Sequence, residues 1–593
     1  MSDALHQAPT VPTVPTVPAA LPAPADGAAA PEALLRASAT AAAAAALLSA
    51  CGGGGEVGVE AGPDVEASQL IVSTRPTRRD ALRFLSQASF GPSSAAQADA
   101  LMAQGYEAWI ATQFKAPYRS HLEYINTQRG RYGGDDTRVP EEASYEAVWN
   151  QWLWGEDPLR ARVVWALLQF FVISNIAPDI RPHAMSSYMD LLARNAFGNW
   201  RTLLGEVTLH PAMGYYLNML RSAKEDPAEG THPNENYARE VLQLFSIGLL
   251  KLNPDGTPLL DGNGRTQPTF DEPVVKGFAH AFTGWSFGGL DTTSEHDFHC
   301  PDENDEALWQ RPMQNWPAFH EPGEKLLLDG RRLPAGQGAA KDLNDALDAI
   351  FNHPNVAPFF CRQLIQRLTT SNPSPTYVKR VADVFVNNGR GVRGDLKAVV
   401  RAVLLDKEAR AAEPGVHFGK LREPLLRFSS FLRALGATST SGTNRIHYLD
   451  SPDDALGQSP LLAPSVFNFY SPFYRPAGPL AEAGLVAPEF QITSETSAAG
   501  SLNFFHDLFQ GGGYGWPEEH RVRINLDPLR DLAATPERLV DELDLLFFNL
   551  QMSASTRQRL LTLINGYPAT QRRTRVRRAL TLVAMSPDFV IQR

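Results

Sequence analysis

Apolar residues recur at three- and four-residue spacing along most of the chain from residue 77 onward, which is the period of an α-helix. In the first such segment Ala81, Leu82 and Leu85 fall on one helical face. Later segments with the same spacing are 145–154, 158–174, 186–196, 200–210, 234–249, 273–282, 342–351, 357–369, 376–387, 394–405, 423–435, 536–550, 555–564 and 570–585. The pattern predicts a mainly α-helical protein.

Polar and turn-forming residues indicate where elements begin and where the helical pattern is absent. Asp157 precedes Pro158 and Thr535 precedes Pro536, and a capping residue before a first-turn proline is typical of a helix start. Two Gly-containing turns inside 250–270 indicate a small β-hairpin. The stretches 286–340 and 437–530 are rich in Pro, Gly, Asn and aromatic residues, which favours long irregular loops.

The region 77–593 is therefore expected to form one large multi-helix globular body with long irregular loops and at most a small β-hairpin. Its length also allows two subdomains, about 77–340 and 341–593, because domains usually contain about 100–200 residues. No repeat of fixed period occurs in the sequence, which argues against a solenoid.

The first 76 residues differ from the rest in composition. Residues 1–51 form a leader in which 8–31 are rich in Pro, Thr, Val and Ala, and such a segment is expected to be disordered. An Ala/Leu run at 37–50 has the length of a signal-peptide core and is too short to span a bilayer, which needs roughly 20 residues. The run ends in Leu48-Ser49-Ala50-Cys51, which resembles the bacterial lipobox. Residues 52–76 begin with four glycines and predict a flexible linker.

This N-terminus predicts an exported protein, in the periplasm or at the outer membrane, that is attached to a membrane through a lipid on Cys51. The region before the apolar run is long and contains one basic residue, Arg36. Translation that starts near Leu34 or Leu35 would shorten that region to an ordinary length. The alternative interpretation is an Ala-rich linker without a targeting role.

Composition and charge narrow the classes of partner. The 593 residues carry a formal net charge of -11 at pH 7 and no long basic stripe, which disfavours a nucleic-acid partner because phosphate binding needs clustered Lys and Arg. The densest basic run, 572–578, lies in a predicted helix and is typical of a solvated face. The three cysteines exclude a disulfide framework and a four-thiolate metal site, and they leave a Cys300–Cys361 pairing open.

Ordered sequence blocks run through the predicted body. They are 82–92, 210–213, 217–218, 234–240 (Asn-Glu-Asn-Tyr-Ala-Arg-Glu), 244–245, 282–285 (Phe-Thr-Gly-Trp), 319–325 (Phe-His-Glu-Pro-Gly-Glu-Lys), 361–364 and 391–396. Together they resemble a bacterial family, the domain of unknown function 1800, over roughly 78–593. The resemblance implies an exported, largely helical protein whose gene commonly lies beside that of a second exported, sulfatase-like family, a candidate partner. It implies no established reaction. One departure is Ala279-His280-Ala281, where the family often has Ala-Arg-Ala.

The predicted helix at 234–248 carries the first candidate acid–base groups. At 100° per residue, Glu235, Asn236, Arg239, Glu240 and Gln243 fall in one polar arc, opposite an apolar arc. One interpretation is a solvated amphipathic face held by i,i+4 pairs. The other is that the arc lines a cleft in which Glu240 or Glu235 acts as general acid or base, or as a metal ligand.

Two histidines and a lysine are further candidates, each in one of the sequence blocks. His210 and His320 are the histidines that could take part in catalysis, and Lys325 could stabilise negative charge or bind a substrate carboxylate. The alternatives are that His210 forms a local hydrogen bond at a helix terminus before Pro211, and that His320 is a structural loop residue.

Other patterns carry weaker implications. The run 296–306 is dense in His, Cys, Asp and Glu but lacks the helical spacing of catalytic zinc sites, so it predicts either a cation site or an acidic surface loop. Residues 284–288 match G-x-S-x-G, but a helical segment precedes them where a nucleophile elbow needs a strand. No phosphate-binding loop, H-E-x-x-H or haem-attachment motif occurs, so no cofactor is assigned and the metal requirement stays open.

Two functional hypotheses follow. In the first, the protein is an envelope hydrolase or lyase that acts on a carbohydrate or other polymer. Its cleft would use Glu235, Glu240, His210 and His320 beneath the loops 286–340 and 437–530. The aromatic residues available there for sugar stacking are Trp285, Trp309, Trp316, Phe467, Tyr470 and Tyr474. In the second, it is a non-catalytic envelope binding or assembly protein that works with the co-encoded sulfatase-like protein. Convergence of the acid–base residues on a pocket would favour the enzyme; their separation would favour the binding protein.

Overall fold

The computed structural model describes residues 75–133, 137–176 and 180–593, all within one unit, Ala61–Arg593. The predictions for the leader, the lipobox and Cys51 lie outside the described residues, as does nearly all of the linker 52–76. Among the helices of the described part, none is both long enough and apolar enough to cross a membrane.

The prediction of a mainly helical fold is confirmed. The described residues form 25 α-helices. They are α1 Arg78–Ala88, α2 Ala95–Gln104, α3 Tyr106–Gln113, α4 His121–Thr127, α5 Glu142–Trp154, α6 Pro158–Leu168, α7 Pro182–Asn195, α8 Trp200–Thr208, α9 Pro211–Tyr216, α10 Asn236–Glu240, α11 Glu272–Ala281, α12 Glu295–His299, α13 Ala339–Asn352, α14 Val356–Leu368, α15 Pro375–Val386, α16 Leu396–Leu405, α17 Lys407–Arg410, α18 Pro424–Ala434, α19 Pro479–Glu482, α20 Glu495–Gly511, α21 Asp527–Leu532, α22 Pro536–Phe547, α23 Ala554–Asn565, α24 Arg572–Met585 and α25 Pro587–Val590. A π-helix, Val241–Ser246, continues α10, and three 3-10 turns lie at Pro317–Phe319, Leu328–Gly330 and Pro488–Ile492.

Side-chain caps start many of these helices where the sequence pattern predicts them. Asp271 accepts a hydrogen bond from the backbone N–H of Val274 at the start of α11, and Asp395 accepts one from Ala398 at the start of α16. Such a cap satisfies one of the four N–H groups that lack a partner inside the helix.

The helix α20 lies inside 437–530, the stretch predicted to be irregular, so that part of the prediction is wrong. Its buried positions include Ser497, Gly500 and Ser501, which are small and carry no hydrophobic signal. A Cβ on Gly500 would lie 2.3 Å from the carbonyl oxygen of Pro452. This turn of the helix packs through backbone proximity rather than through large apolar side chains, and the apolar period is therefore masked in the sequence.

Sheet structure is limited to four antiparallel pairs of two-residue strands. β1 (Trp285–Ser286) pairs with β2 (Gln314–Asn315), β3 (Lys325–Leu326) with β4 (Arg332–Leu333), β5 (Lys420–Leu421) with β8 (Ile591–Gln592), and β6 (Gly513–Tyr514) with β7 (Val522–Arg523). The predicted hairpin at 250–270 contains three isolated antiparallel bridges, among them Leu250 with Pro268.

One hydrophobic cluster contains most of the buried apolar side chains of the described residues. Trp200 of α8 lies within it, with ring centroids 6.1 Å from Phe351 and 6.2 Å from Phe360. The division into subdomains at about 340 stays a prediction.

Cys300 is exposed and Cys361 is buried in the core, both as free thiols, so the pairing left open by the sequence does not form. Burial raises the pKa of the Cys361 thiol, as expected of a structural cysteine.

Candidate functional site

His320 and Lys325 lie together around a carboxylate that the sequence did not single out, Asp342. His320 Nε2 lies 2.9 Å from Asp342 Oδ2, and Lys325 Nζ lies 2.7 Å from the same oxygen. Gln337 Nε2 donates to the other carboxylate oxygen at 2.6 Å. We refer to His320, Lys325 and Asp342 as the buried ion cluster, because the side chains of Lys325 and Asp342 have no solvent exposure and that of His320 has little.

Three elements hold the buried ion cluster in place. Lys325 begins β3, and Asp342 lies in the first turn of α13, where a carboxylate is favourable beside unpaired N–H groups. The helix α11 covers β3 at Gly277, where a Cβ would lie 1.7 Å from the carbonyl oxygen of Leu326. Only glycine allows this contact, which brings α11 against the strand that carries Lys325.

Every polar group of the buried ion cluster has partners inside the protein. Lys325 Nζ also donates to the carbonyl oxygens of Glu321 at 2.6 Å and Gly323 at 2.9 Å. His320 Nδ1 lies 3.0 Å from the carbonyl oxygen of Thr283, which can only accept, so Nδ1 carries a proton. The side chains of the cluster have little or no exposure to solvent, and their polar atoms have partners in the protein. The cluster is suited to joining segments of the fold and not to acting on a substrate.

His210 lies apart from that cluster, at a pocket of about 460 Å³ that also includes Ser187, Arg194 and Glu206. Its Nδ1 accepts a hydrogen bond from the backbone N–H of Ala212 at 3.2 Å, so His210 is the N-cap of α9. Its Nε2 lies 3.2 Å from Ser187 Oγ. The alternative prediction, a local hydrogen bond at a helix terminus, describes this geometry.

The hydrogen bonds of His210 assign its proton to Nε2, because Nδ1 is an acceptor. Nε2 therefore donates to Ser187 Oγ, and that hydroxyl donates in turn to the carbonyl oxygen of Trp309 at 3.1 Å. A base for Ser187 would need the opposite arrangement, an unprotonated Nε2. Burial also lowers the pKa of His210 to about 3, which keeps the ring neutral near pH 7. The hydrogen bond between His210 and Ser187 is therefore structural.

Glu235 and Glu240 lie in different surroundings, although both were predicted on one polar arc. Glu235 is partly exposed and pairs with Arg239 at 3.0 Å, and Arg239 also reaches Glu272 at 3.2 Å. Glu240 is buried, next to the start of the π-helix, and burial raises the pKa of its carboxyl group. Its Oε2 has no hydrogen-bond partner among the described residues.

The five predicted residues therefore do not form one constellation. His320 and Lys325 share a partner, Asp342, whereas His210 contacts Ser187 and Glu235 pairs with Arg239. Glu240 has a carboxylate oxygen without a hydrogen-bond partner among the described residues. The predicted aromatic roof is also wrong in large part, because four of its members belong to the core. The buried aromatic side chains are Trp285, Trp309, Trp316 and Tyr470.

In the ligand-dense run at 296–306, the two glutamates form ion pairs with arginines. Glu306 lies 2.5 Å from Arg129, and Glu303 pairs with Arg221. In the part of the chain that the structure describes, no group of three or more His, Cys, Asp or Glu side chains is arranged to hold a metal ion. Ser286, the serine of the G-x-S-x-G match, is buried and donates to the carbonyl oxygen of Phe298 at 3.0 Å.

A second surface was not predicted from the sequence. Tyr132 is 64% exposed, Tyr448 46% and Trp516 81%, so each presents much of a large aromatic side chain to solvent. The half-buried carboxylates of Glu141 and Glu142 lie beside the two tyrosines and, after burial, are the main causes of the raised pKa of Tyr448. We call these five residues the aromatic–carboxylate patch.

Buried contacts fix the parts of this patch relative to one another. Tyr145 donates from its hydroxyl to Glu141 Oε1 at 2.5 Å, and its ring lies 5.4 Å from that of Tyr448 in an edge-to-face contact. Tyr514 in β6 donates to the carbonyl oxygen of Tyr448 at 3.2 Å. Trp516 follows two residues after Tyr514, which places it next to the segment that carries Tyr448.

The buried carboxylate of Glu146 binds residues next to the patch. Arg131, beside Tyr132 in sequence, donates two hydrogen bonds to Glu146, at 3.0 and 2.5 Å. The hydroxyl of Tyr124 donates to the same carboxylate at 3.1 Å. Burial raises the pKa of Glu146 in spite of these partners. The spacing of Glu141, which precedes α5, and Tyr145, four residues later within it, is the sequence signal that could have pointed to this region.

The fold and this patch define a mainly helical protein with an open aromatic surface, in which His320 and Lys325 are paired with a buried carboxylate. A family model described as "Protein of unknown function (DUF1800)" matches residues 83–591. The chain belongs to this family, and the resemblance noted in the sequence is confirmed. Searches among curated proteins and among solved structures return no match.

Proposed function

We propose that this protein is an exported envelope protein that binds a carbohydrate polymer on the aromatic–carboxylate patch. The observation that carries the proposal is the contrast in exposure. Tyr132, Tyr448 and Trp516 are open to solvent beside two carboxylates, whereas His320 and Lys325 are closed off and paired. The binding hypothesis is therefore favoured over the hydrolase or lyase.

The chemistry of the patch suits a sugar chain. Sugar rings have an apolar C–H face that packs on an aromatic ring, and aromatic side chains offer large contact area with little loss of conformational freedom. Their hydroxyl groups donate to carboxylates, and such charge-assisted hydrogen bonds are stronger than neutral ones. Exposed aromatic side chains rimmed by polar groups are typical of binding surfaces. Spaced aromatic residues suit an extended chain better than a single small molecule.

The location belongs to the same proposal. The lipobox-like Leu48–Cys51 and the glycine-rich start of the linker support export and attachment to a membrane through Cys51. A linker of this kind would let the body reach a polymer near the membrane, and the co-encoded sulfatase-like protein is the proposed partner there. Mass spectrometry of the mature N-terminus tests the attachment: a lipidated Cys51 is expected, and an unmodified chain that keeps residues 1–50 would contradict it.

Affinity electrophoresis of the full-length protein in gels with a soluble polysaccharide tests the binding. A glycol-modified chitosan, a hydroxyethyl cellulose and a polygalacturonate form a suitable panel. We expect at least one polymer to retard the wild type and to lose most of its effect on Trp516→Ala. Phe467→Ala is the matched control, because Phe467 is 54% exposed and lies outside the patch. Equal retardation of both variants would contradict the proposed site.

Release of reducing ends from the retarding polymer tests the enzyme hypothesis. A binding protein leaves the polymer intact, so no increase over the Trp516→Ala variant is expected. Turnover that the wild type supports and Glu240→Gln abolishes, with folding unchanged, would restore the hydrolase or lyase. Glu240 is the relevant residue because it is the one predicted acid whose buried oxygen has no hydrogen-bond partner among the described residues.

A further inference from the structure

We infer that a cavity beside the C-terminal end of α18 binds a small molecule through an oxyanion of the phosphate or sulfate type. The cavity has a volume of about 450 Å³, and its wall includes Ser93, Trp154, Leu432, Arg433 and Thr438. We call it the Arg433 cavity. It shares no residue with the aromatic–carboxylate patch, so the inference goes beyond the proposed function.

Arg433 brings a buried positive charge to this cavity. It is 9% exposed, and its Nε donates to the carbonyl oxygen of Gly91 at 2.9 Å. Its Nη1 donates to the carbonyl oxygens of Trp152 at 3.0 Å and Leu153 at 3.3 Å. These bonds hold the guanidinium group in place, but carbonyl oxygens carry no net charge and none of the bonds uses Nη2.

The charge of Arg433 is not balanced by an acid in the cavity wall. The described residues that line the cavity include no Asp or Glu. Burial lowers the pKa of Arg433 to about 10, which leaves the guanidinium charged near pH 7. Because a buried charge is unfavourable without a partner of opposite sign, the cavity favours an anionic ligand.

The N-terminus of α2 borders the same cavity. Ser93 and Gln97, on either side of the N-cap residue Ser94, both line it. The side chain of Ser94 makes no capping hydrogen bond, and the first turn of this ten-residue helix contains no acidic residue. A helix N-terminus presents backbone N–H groups and a partial positive charge, which favour a bound anion. Arg433 and α2 therefore point to the same class of ligand.

The rest of the wall supplies hydroxyl donors and an apolar surface. The side chains of Ser93 and Thr438 can donate to an oxyanion from different elements, which suits a tetrahedral group better than a planar carboxylate. The indole Nε1 of Trp154 donates to the carbonyl oxygen of Ala437 at 2.9 Å, which fixes the ring in the wall. Small-molecule sites typically have volumes of about 300–1,000 Å³, so an apolar group attached to the oxyanion can pack on Trp154 and Leu432.

Isothermal titration calorimetry on the full-length protein tests the inference with inorganic phosphate, sulfate, acetate and phenyl phosphate. Chloride keeps the ionic strength equal in all titrations, because salt screens charge interactions. We expect saturable one-to-one binding of phosphate and sulfate, and about tenfold weaker binding of acetate. Phenyl phosphate should bind several-fold more tightly than inorganic phosphate, since its ring adds a contact with Trp154. Acetate as tight as phosphate, or phenyl phosphate no tighter than phosphate, would overturn the ligand class.

Two variants locate the binding. Arg433→Met should weaken phosphate binding by about tenfold or more, because a hydrogen bond to a charged group is lost together with the charge. Its matched control is Arg575→Met. Arg575 is 6% exposed and donates only to the backbone carbonyl oxygens of Ala533 and Tyr567, away from the cavity. The control loses a comparable buried arginine and should bind phosphate as the wild type does.

The combined variant Ser93→Ala with Thr438→Val removes two hydroxyl donors and leaves Arg433 in place. It should weaken phosphate binding several-fold, and it decides the matter if Arg433→Met does not fold, which circular dichroism shows. Three results would overturn the inference: no saturable binding of phosphate, sulfate or phenyl phosphate by the wild type, equal affinities of Arg433→Met and Arg575→Met, or unchanged affinity of the combined variant.

Discussion

The buried ion cluster and the aromatic–carboxylate patch both contain carboxylates, in opposite settings. In the cluster, the polar atoms of His320, Lys325 and Asp342 contact one another and backbone carbonyls, with little or no exposure to solvent. In the patch, tyrosine and tryptophan side chains lie in solvent beside carboxylates. The first arrangement stabilises a fold, and the second can recognise a ligand. The presence of a carboxylate does not distinguish the two regions. They differ in the solvent exposure of their side chains and in how much hydrogen-bonding capacity is left unused.

The largest expected effect on stability comes from a substitution of Lys325 in the buried ion cluster. Lys325→Met leaves Asp342 as a buried carboxylate without its closest cation, so we expect a loss of about 3–5 kcal/mol in the free energy of unfolding. Chemical denaturation followed by circular dichroism measures it. The matched control is Lys379→Met, because Lys379 pairs with Asp383 at 2.7 Å with both side chains about half exposed. The control should change stability by less than about 1 kcal/mol. Equal losses in the two variants would refute the structural role of the cluster.

Gly277 of α11 tests how the cluster is held in place. Gly277→Ala places a methyl group against the carbonyl oxygen of Leu326, and backbone must move to accept it. We expect a loss of about 1–3 kcal/mol in unfolding free energy, in spite of the better helix propensity of alanine. Gly205→Ala in α8 is the control, since its nearest neighbour is the flexible end of Arg201 at 3.2 Å. A Gly277→Ala protein as stable as the control would mean that the close contact between α11 and β3 does not contribute to stability.

The pH dependence of stability tests whether His210 is a buried, neutral, structural histidine. Its folded-state pKa of about 3 lies below the ordinary value of 6.5, so the unfolded chain binds the extra proton first as the pH falls. The stability that neutral His210 contributes is present above pH 6.5 and is lost between pH 6.5 and about 3, with a slope on the order of 1 kcal/mol per pH unit. His210→Asn keeps an N-cap and should flatten this slope. Parallel pH profiles of the two proteins, from denaturation midpoints, would contradict a buried neutral ring.

Trp516 should show the smallest effect on stability. Its side chain is largely exposed, so Trp516→Ala is expected to change the free energy of unfolding by less than about 0.5 kcal/mol. Thermal unfolding of the variant beside the wild type measures it. A large destabilisation would mean that the tryptophan is part of the core packing, and the loss of polymer binding in this variant could no longer be attributed to a lost contact.

The sequence predicts the helices well where the apolar period is intact, as in α8 and α16. It misses α20, because Ser497 and Gly500 are small residues at buried positions. It identifies His320 and Lys325 but not Asp342, since their proximity depends on how α13 packs against β3. The patch is harder still: Tyr132, Tyr448 and Trp516 are brought together by tertiary packing, and an exposed aromatic residue looks in the sequence like a buried one.

Hydrogen–deuterium exchange with and without glycol chitosan tests the central claim most directly, because it reads both regions in one experiment. The polymer should slow exchange in the peptides that contain Tyr132, Tyr448 and Trp516. Exchange in the peptides that contain His320, Lys325 and Asp342 should not change. Protection at the buried ion cluster or at His210, with none at the patch, would contradict the account and return the search for function to the residues that the sequence first suggested.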